Sequence, residues 1–385
     1  MRSLLLVIAS FCVTILCWGL YVPVLQWGQK AMNLGGTPAR WRPFICVGLA
    51  YFLIGVIVPT VLLKFRRERG EWTATGIIYS LLGGALGALG ALGIILAINF
   101  GGKPVFVAPL VFGLAPIVNS FLTIYLAGKT REIGPIFIAG MVMVILGAVT
   151  VLSFHPTPNA HAIVPAAAAG GATAEAPPAA PLRSTATIAK DAGAKAGNFV
   201  MQLLSIAMVA LCWGSYGPTL HKGQAAMQNS RLRPLLCVGL AYFAIAVCIP
   251  PIILHFSPEA SSFTFKGTSW SLAAGAAGAI GALGIIMAFN FGGKPLYVMP
   301  LIFGGAPVVA TLVSTYTEGL LGEVGPMFLA GLILVIAGAA MVLIFAPKGA
   351  PHSAPHPGPA PAPAQATPPE PPKSQDSPFE KPPGP

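Results

Sequence analysis

Residues 90–104 read GALGIILAINFGGKP, and residues 281–295 read GALGIIMAFNFGGKP. Working outward, RPFICVGLAYF at 42–52 returns as RPLLCVGLAYF at 233–243, and CWGLYVPVLQWGQ at 17–29 returns as CWGSYGPTLHKGQ at 212–224. From Arg42 to Leu152 the offset is a constant 191, and 58 of 111 positions are identical. An ungapped match of that length is a tandem duplication, and a repeat of this size governs every later reading of the fold.

Each copy is overwhelmingly apolar. The 385 residues are 55% hydrophobic and only 9% charged, whereas a soluble domain carries roughly 25% charged residues. The chain therefore reads as an integral membrane protein. Its net charge of +11 does not point to nucleic acid, because the basic residues stand singly between apolar runs. Cys12, Cys17, Cys46, Cys212, Cys237 and Cys248 lie inside those runs without a framework spacing and read as small packing residues. His221 and His255 have no second ligand at i+3 or i+4, and His155, His161, His352 and His356 fall in low-complexity segments, so the sequence predicts no metal and no cofactor.

Runs of about 20 apolar residues are long enough to cross a bilayer. In the first copy they cover Leu4–Val22, Phe44–Leu63, Gly76–Ile98, Val105–Leu126 and Pro135–Phe154. In the second they cover Phe199–Leu220, Leu235–Phe256, Ser269–Phe289, Leu296–Thr317 and Pro326–Phe345. The fold expected is all-α and polytopic: a first five-helix repeat over 1–154, an Ala/Pro-rich linker over 155–198 read as disordered, a second repeat over 199–346, and a Pro-rich tail over 347–385. The tail holds 15 of the 38 prolines and reads as extended and solvated, with a proline-reading partner as the alternative. The start of the chain resembles a signal peptide, but no small-x-small site follows it and the same segment recurs internally.

Five spans per copy is an odd number, so a non-crossing linker makes the second copy enter from the opposite side. Loop charge tests the inversion, because cytoplasmic loops carry excess Lys and Arg. Lys64, Arg66, Arg67, Arg69, Lys129 and Arg131 of the first copy correspond to His255, Ser257, Pro258, Ala260, Leu320 and Gly322. The second copy keeps its basic loop at Lys222, Arg231 and Arg233. This places both termini in the cytoplasm, in a multi-pass protein of the cell (inner) membrane. Lys30, Arg40 and Arg42 fall outside and run against the bias.

Two inverted five-span halves resemble the drug/metabolite transporter superfamily with EamA-type repeats. The likeness rests on Trp18-Gly19 and Trp213-Gly214 late in the first span of each unit, on Pro116 with Glu132 and Pro307 with Glu323, and on Gly140 with Gly147 and Gly331 with Gly338. The Gly-Gly-Lys-Pro turn is more similar to the sugar and small-metabolite permeases. The resemblance implies a permease working by alternating access, with a small-molecule solute and the lipid bilayer as its partners and no catalysis.

Polar groups within spans are costly in lipid and are candidates by default, and inverted-repeat carriers bind near the midplane between the halves. No Asp, Glu, Lys or Arg falls well inside any predicted span, which argues for a small polar metabolite over the alternative of a drug/proton exporter. Trp18 with Tyr21, and Trp213 with Tyr216, share helix faces at i, i+3 and suit sugars or planar solutes; anchoring at the membrane interface is the competing reading. Asn119 and Thr123 lie on one face at i, i+4, opposite Ala310 and Ser314 of the second copy. Tyr51 and Tyr242 lie inside their spans. Asn99 and Asn290 either cap their helices or belong with Lys103 and Lys294 to gates, and those lysines otherwise extend to lipid head groups. Gly84, Gly87, Gly90 and Gly93, with Gly275, Gly278, Gly281 and Gly284, predict close helix contacts. A non-transporting scaffold or sensor recruiting partners through the tail is the alternative from a different class.

Overall fold

The computed structural model describes residues 2–65, 68, 70–126, 128, 130–157, 185–228, 230–291, 295–347 and 384. Most of the linker, residues 158–184, and the tail beyond Pro347, Gly384 excepted, lie outside the described residues, as does Lys294. Ten long helices follow one another: α1 (Arg2–Ala31), α2 (Trp41–Phe65), α3 (Ala74–Asn99), α4 (Pro104–Leu126), α5 (Pro135–Ser153), α6 (Thr185–Ala226), α7 (Leu232–Phe256), α8 (Phe265–Asn290), α9 (Pro295–Thr317) and α10 (Pro326–Phe345). No strand occurs among the described residues, and nine helices there are long and apolar enough to cross a membrane. Their outward side chains, such as Leu16, Ile57, Ile145, Leu211, Ile252 and Ile333, are exposed aliphatics. The protein is an all-α, multi-pass membrane protein.

Local chemistry sets the helix ends. Proline stands at the first position of α4, α5, α9 and α10, where its missing N–H costs nothing and its fixed φ suits a helix. The Thr73 hydroxyl accepts from the Gly76 N–H and donates to the Ala226 carbonyl, both at 3.0 Å. Its repeat counterpart Thr264 accepts from Gly267 at 3.0 Å and donates to Ala31 at 2.8 Å. Each threonine thus starts one helix and satisfies an orphan carbonyl at the end of another in the opposite copy.

Two boundaries and one internal feature differ from the sequence reading. Helix α1 runs on to Ala31 through Pro23; Trp27 there packs edge-on against Trp270 of α8 at 5.0 Å, so tertiary burial extends the helix past its apolar run. Helix α6 begins at Thr185 rather than Phe199, inside the stretch read as a disordered linker. TATIAKDAGAKAGN is alanine-rich, and good helix formers extend readily from a turn that already exists. Finally, α2 and α7 each contain a π-turn, Leu53–Ile57 and Phe243–Cys248. Each turn precedes a matched proline, Pro59 or Pro250, which lacks an N–H and crowds the carbonyl four residues back, so the helix widens before it.

The two copies are not side by side; they interdigitate. Helix α1 packs on α8 and α9, and its counterpart α6 packs on α3 and α4. Helix α2 packs on α8 as α7 does on α3, while α5 meets α10 and α4 meets α9. The glycine rows make this possible. A Cβ at Gly84 would lie 2.7 Å from the Val238 Cα, and one at Gly275 2.7 Å from the Val47 Cα, so backbone meets backbone there.

Candidate functional site

The sequence-predicted aromatic residues meet at the seam between the copies. The Tyr51 and Tyr242 rings stack face to face, with centroids 3.8 Å apart and planes within 2°. Tyr21 meets Trp213 edge-on at 6.0 Å. Phe112 lies 6.2 Å from Trp213 and 6.4 Å from Trp18, and Phe303 lies 6.4 Å from Trp18. Phe112 and Phe303 are themselves repeat counterparts, missed by the sequence reading because a phenylalanine in an apolar span carries no polar signal.

The glycine rows seat these rings. Gly90 lies against the Trp213 indole and Gly281 against the Trp18 indole. Gly87 and Gly278 face Tyr242 and Tyr51. The Trp18 indole N–H donates to the Gly278 carbonyl and the Trp213 N–H to the Gly87 carbonyl, each at 3.2 Å. Each wide indole thus packs between helices, beside a residue without a side chain. Tyr21 and Tyr242 are buried, and the Tyr21 hydroxyl has no hydrogen-bond partner. Thr14 donates to the Gly281 carbonyl at 3.0 Å. Matched Ser120 and Thr311 are buried with unpartnered hydroxyls. Tyr216 remains half-buried against the same cluster.

Other candidates part company. Asn119 faces Gly217 of α6, but Thr123 is exposed, so the two do not form one buried polar face. The Ser314 hydroxyl donates to the Ala310 carbonyl at 2.6 Å and is spent within its own helix. Asn99 does not cap α3. Its side-chain amide donates to the Pro38 carbonyl at 2.7 Å, because the α1–α2 connection folds over the end of α3. The side chain of Asn290 and all of Lys294 lie outside the described residues.

At the end of the molecule that holds Asn99 and Lys103 there is a cavity of about 510 Å³. Gln26, Lys30, Asn99, Lys103, Asn198 and Glu318 supply its polar lining. Gln26 is only 5% exposed.

Two carboxylates hold the helix ends beside this architecture. At the cavity's end, Glu259 accepts from the Arg40 N–H at 2.7 Å, the Trp41 N–H at 3.3 Å and the Ser261 hydroxyl at 2.9 Å, and it pairs with the Arg40 guanidinium at 3.2 Å. Arg42 donates to Ser261. At the other clasp, Glu68 accepts from the Arg231 N–H at 2.9 Å and the Ser230 hydroxyl at 2.8 Å, with Arg233 3.6 Å away. Glu68 and Glu259 are 191 apart, as are Arg40 and Arg231, and Arg42 and Arg233. Each acid caps the second helix of the other copy, using the positive end of the helix dipole. The Glu259 clasp is also backed by a paired backbone: Leu34 donates to Ala260 at 3.1 Å and Ser262 to Met32 at 2.9 Å. Arg40 and Arg42, which run against the loop-charge bias, are committed to this clasp.

Among the described residues no group of three His, Cys, Asp or Glu side chains could hold a metal ion. No protein-family model matches the chain, and no curated protein matches it. One solved structure, described only as a protein's crystal structure, is similar over 88% of this chain and 99% of its own at 17% identity, with a TM-score of 0.48, a likeness too loose to carry a functional argument.

Proposed function

We propose that the chain is a secondary transporter for a small polar solute, working by alternating access between two inverted five-helix repeats, with ten spans in all. The observation that carries this reading is the reciprocal capping by Glu68 and Glu259. One duplicated carboxylate is used twice, once per copy, each time to hold a helix end of the other copy. Under an inverted topology the two clasps lie on opposite faces of the membrane. Releasing one while keeping the other opens a single face, which is what alternation requires. By the loop charges, both termini and the Glu68 clasp are cytoplasmic, and the cavity opens to the outside.

On this reading the packed aromatic centre is a closed stage of the cycle and the cavity is its antechamber. Trp18, Tyr21, Tyr51, Phe112, Trp213 and Tyr242 then separate as the copies rock, and the unpartnered hydroxyls of Tyr21, Ser120 and Thr311 find partners on the solute.

The test is uptake into proteoliposomes by the purified full chain, against a panel of radiolabelled sugars, amino acids, nucleosides and organic acids. Saturable uptake of one class, lost when cysteines placed at Trp18 and Gly281 are cross-linked and regained on reduction, is expected. Absence of uptake or efflux for the whole panel overturns the reading.

A further inference from the structure

We infer that the cavity beside Lys103 binds a zwitterion, a small solute carrying both a carboxylate and a protonated amine; this rests on the carrier reading above and names its substrate class. The cavity holds charges of both signs that neutralise nothing. Among the described residues, Lys30, Lys103 and Glu318 all line it, and none makes an ion pair or side-chain hydrogen bond. Gln26, nine-tenths buried, also lines it without a hydrogen-bond partner.

Two of these charges sit where the helices do not want them. Lys103 immediately precedes α4 (Pro104–Leu126), placing an ammonium at the positive end of that helix's dipole. Glu318 immediately follows α9 (Pro295–Thr317), placing a carboxylate at a negative end. Stabilising charges have the opposite signs at these positions. A bound carboxylate is drawn to Lys103, Lys30 and the start of α4, where it relieves the first conflict. A bound ammonium at Glu318 and the end of α9 relieves the second. A plain anion meets Glu318, a plain cation meets two lysines, and a neutral sugar relieves neither conflict. Gln26 presents an amide that can donate to or accept from either group. The volume of about 510 Å³ falls within the range of about 300–1,000 Å³ of small-molecule sites.

The duplication indicates that this charge set is not required for folding. Gln26 and Lys30 correspond to His221 and Ala225, and Glu318 to Ala127. Of this polar lining, Asn99 and Lys103 recur in the second copy, as Asn290 and Lys294, whereas the acid and the second lysine do not. An end that meets the solute first and differs from its twin gives the two faces different affinities.

The experiment is calorimetric titration of the purified full chain with L-glutamine, γ-aminobutyrate, succinate, putrescine and D-glucose, alongside proteoliposome uptake of each. At least one zwitterion is expected to bind about tenfold or more tightly than succinate, putrescine and glucose, since a charged hydrogen bond lost is worth that factor or more. Glu318→Gln should weaken the zwitterion about tenfold while strengthening succinate, and Lys30→Gln should weaken both, with thermal unfolding checked to be unchanged in each. Tighter binding of glucose, or zwitterion binding indifferent to both substitutions, overturns the inference. Uptake of glucose without zwitterion binding refutes this site and leaves the carrier standing. Zwitterion binding without flux of any probe supports the site and refutes the carrier.

Discussion

Trp18 and Gly281 show how single residues hold the copies together. The indole occupies the space a side chain at 281 would need, and its N–H is satisfied by a carbonyl one helical turn away, at Gly278. Gly281→Ala and Gly90→Ala should therefore overpack the seam and lower stability by about 1–3 kcal/mol, read as a fall in melting temperature in detergent. Gly35→Ala, where a Cβ meets nothing within 4 Å, should leave it unchanged. Tyr21→Phe separates structure from function. Its hydroxyl is buried without a partner, so its removal should leave stability equal or slightly higher, while uptake falls if the hydroxyl serves solute; equal uptake would remove Tyr21 from the site. The sequence carried the pairing of these rings only implicitly. Every ring and every glycine recurs between the copies, but which glycine of one copy seats which ring of the other depends on helix crossings that spacing does not encode.

Helices explain why the clasps matter. An α-helix leaves its first N–H groups without partners, and neither α2 nor α7 has a cap of its own, because Arg40 and Arg231 occupy those positions. Glu259 and Glu68 supply the missing acceptor from the other copy. Glu259→Gln should loosen the cavity's end and Glu68→Gln the opposite one, each by about 1–2 kcal/mol. Cysteines introduced near each clasp should then change their labelling by a membrane-impermeant maleimide in opposite directions; parallel changes would contradict separate gating of the two ends. These acids were visible in the sequence, since Glu68 keeps its identity at 259 while the basic residues around it are lost. They lie in loops, and a search for buried charge within spans passes over loops. The π-turns before Pro59 and Pro250 were likewise implicit in matched prolines, whereas the extension of α1 to Ala31 came from packing of Trp27 on Trp270, which no local pattern reports.

For the whole molecule, interdigitation makes each copy incomplete alone. Helix α1 finds its partners in α8 and α9, and α6 in α3 and α4, so a separated half exposes the polar N–H and carbonyl groups that Thr73, Thr264, Glu68 and Glu259 now satisfy. Residues 1–157 expressed alone, or 185–385 alone, should aggregate in mild detergent, and the two co-expressed should purify together as one species; stable monodisperse halves would contradict the shared core. The polytopic helical fold was legible from the duplicated apolar runs. The cavity was not, because Gln26, Lys30 and Glu318 are replaced by His221, Ala225 and Ala127 in the other copy and come together only when α1, α4 and α9 converge. On the carrier reading proposed above, the two matched carboxylate clasps set the balance between the ends of the molecule, so that balance is a small difference between two similar quantities. A change of about 1.4 kcal/mol at either latch tips the populations tenfold, and weakening both together should return them close to where they began. A lesion in one repeat of the chain is thereby repairable by the same lesion at its counterpart in the other repeat.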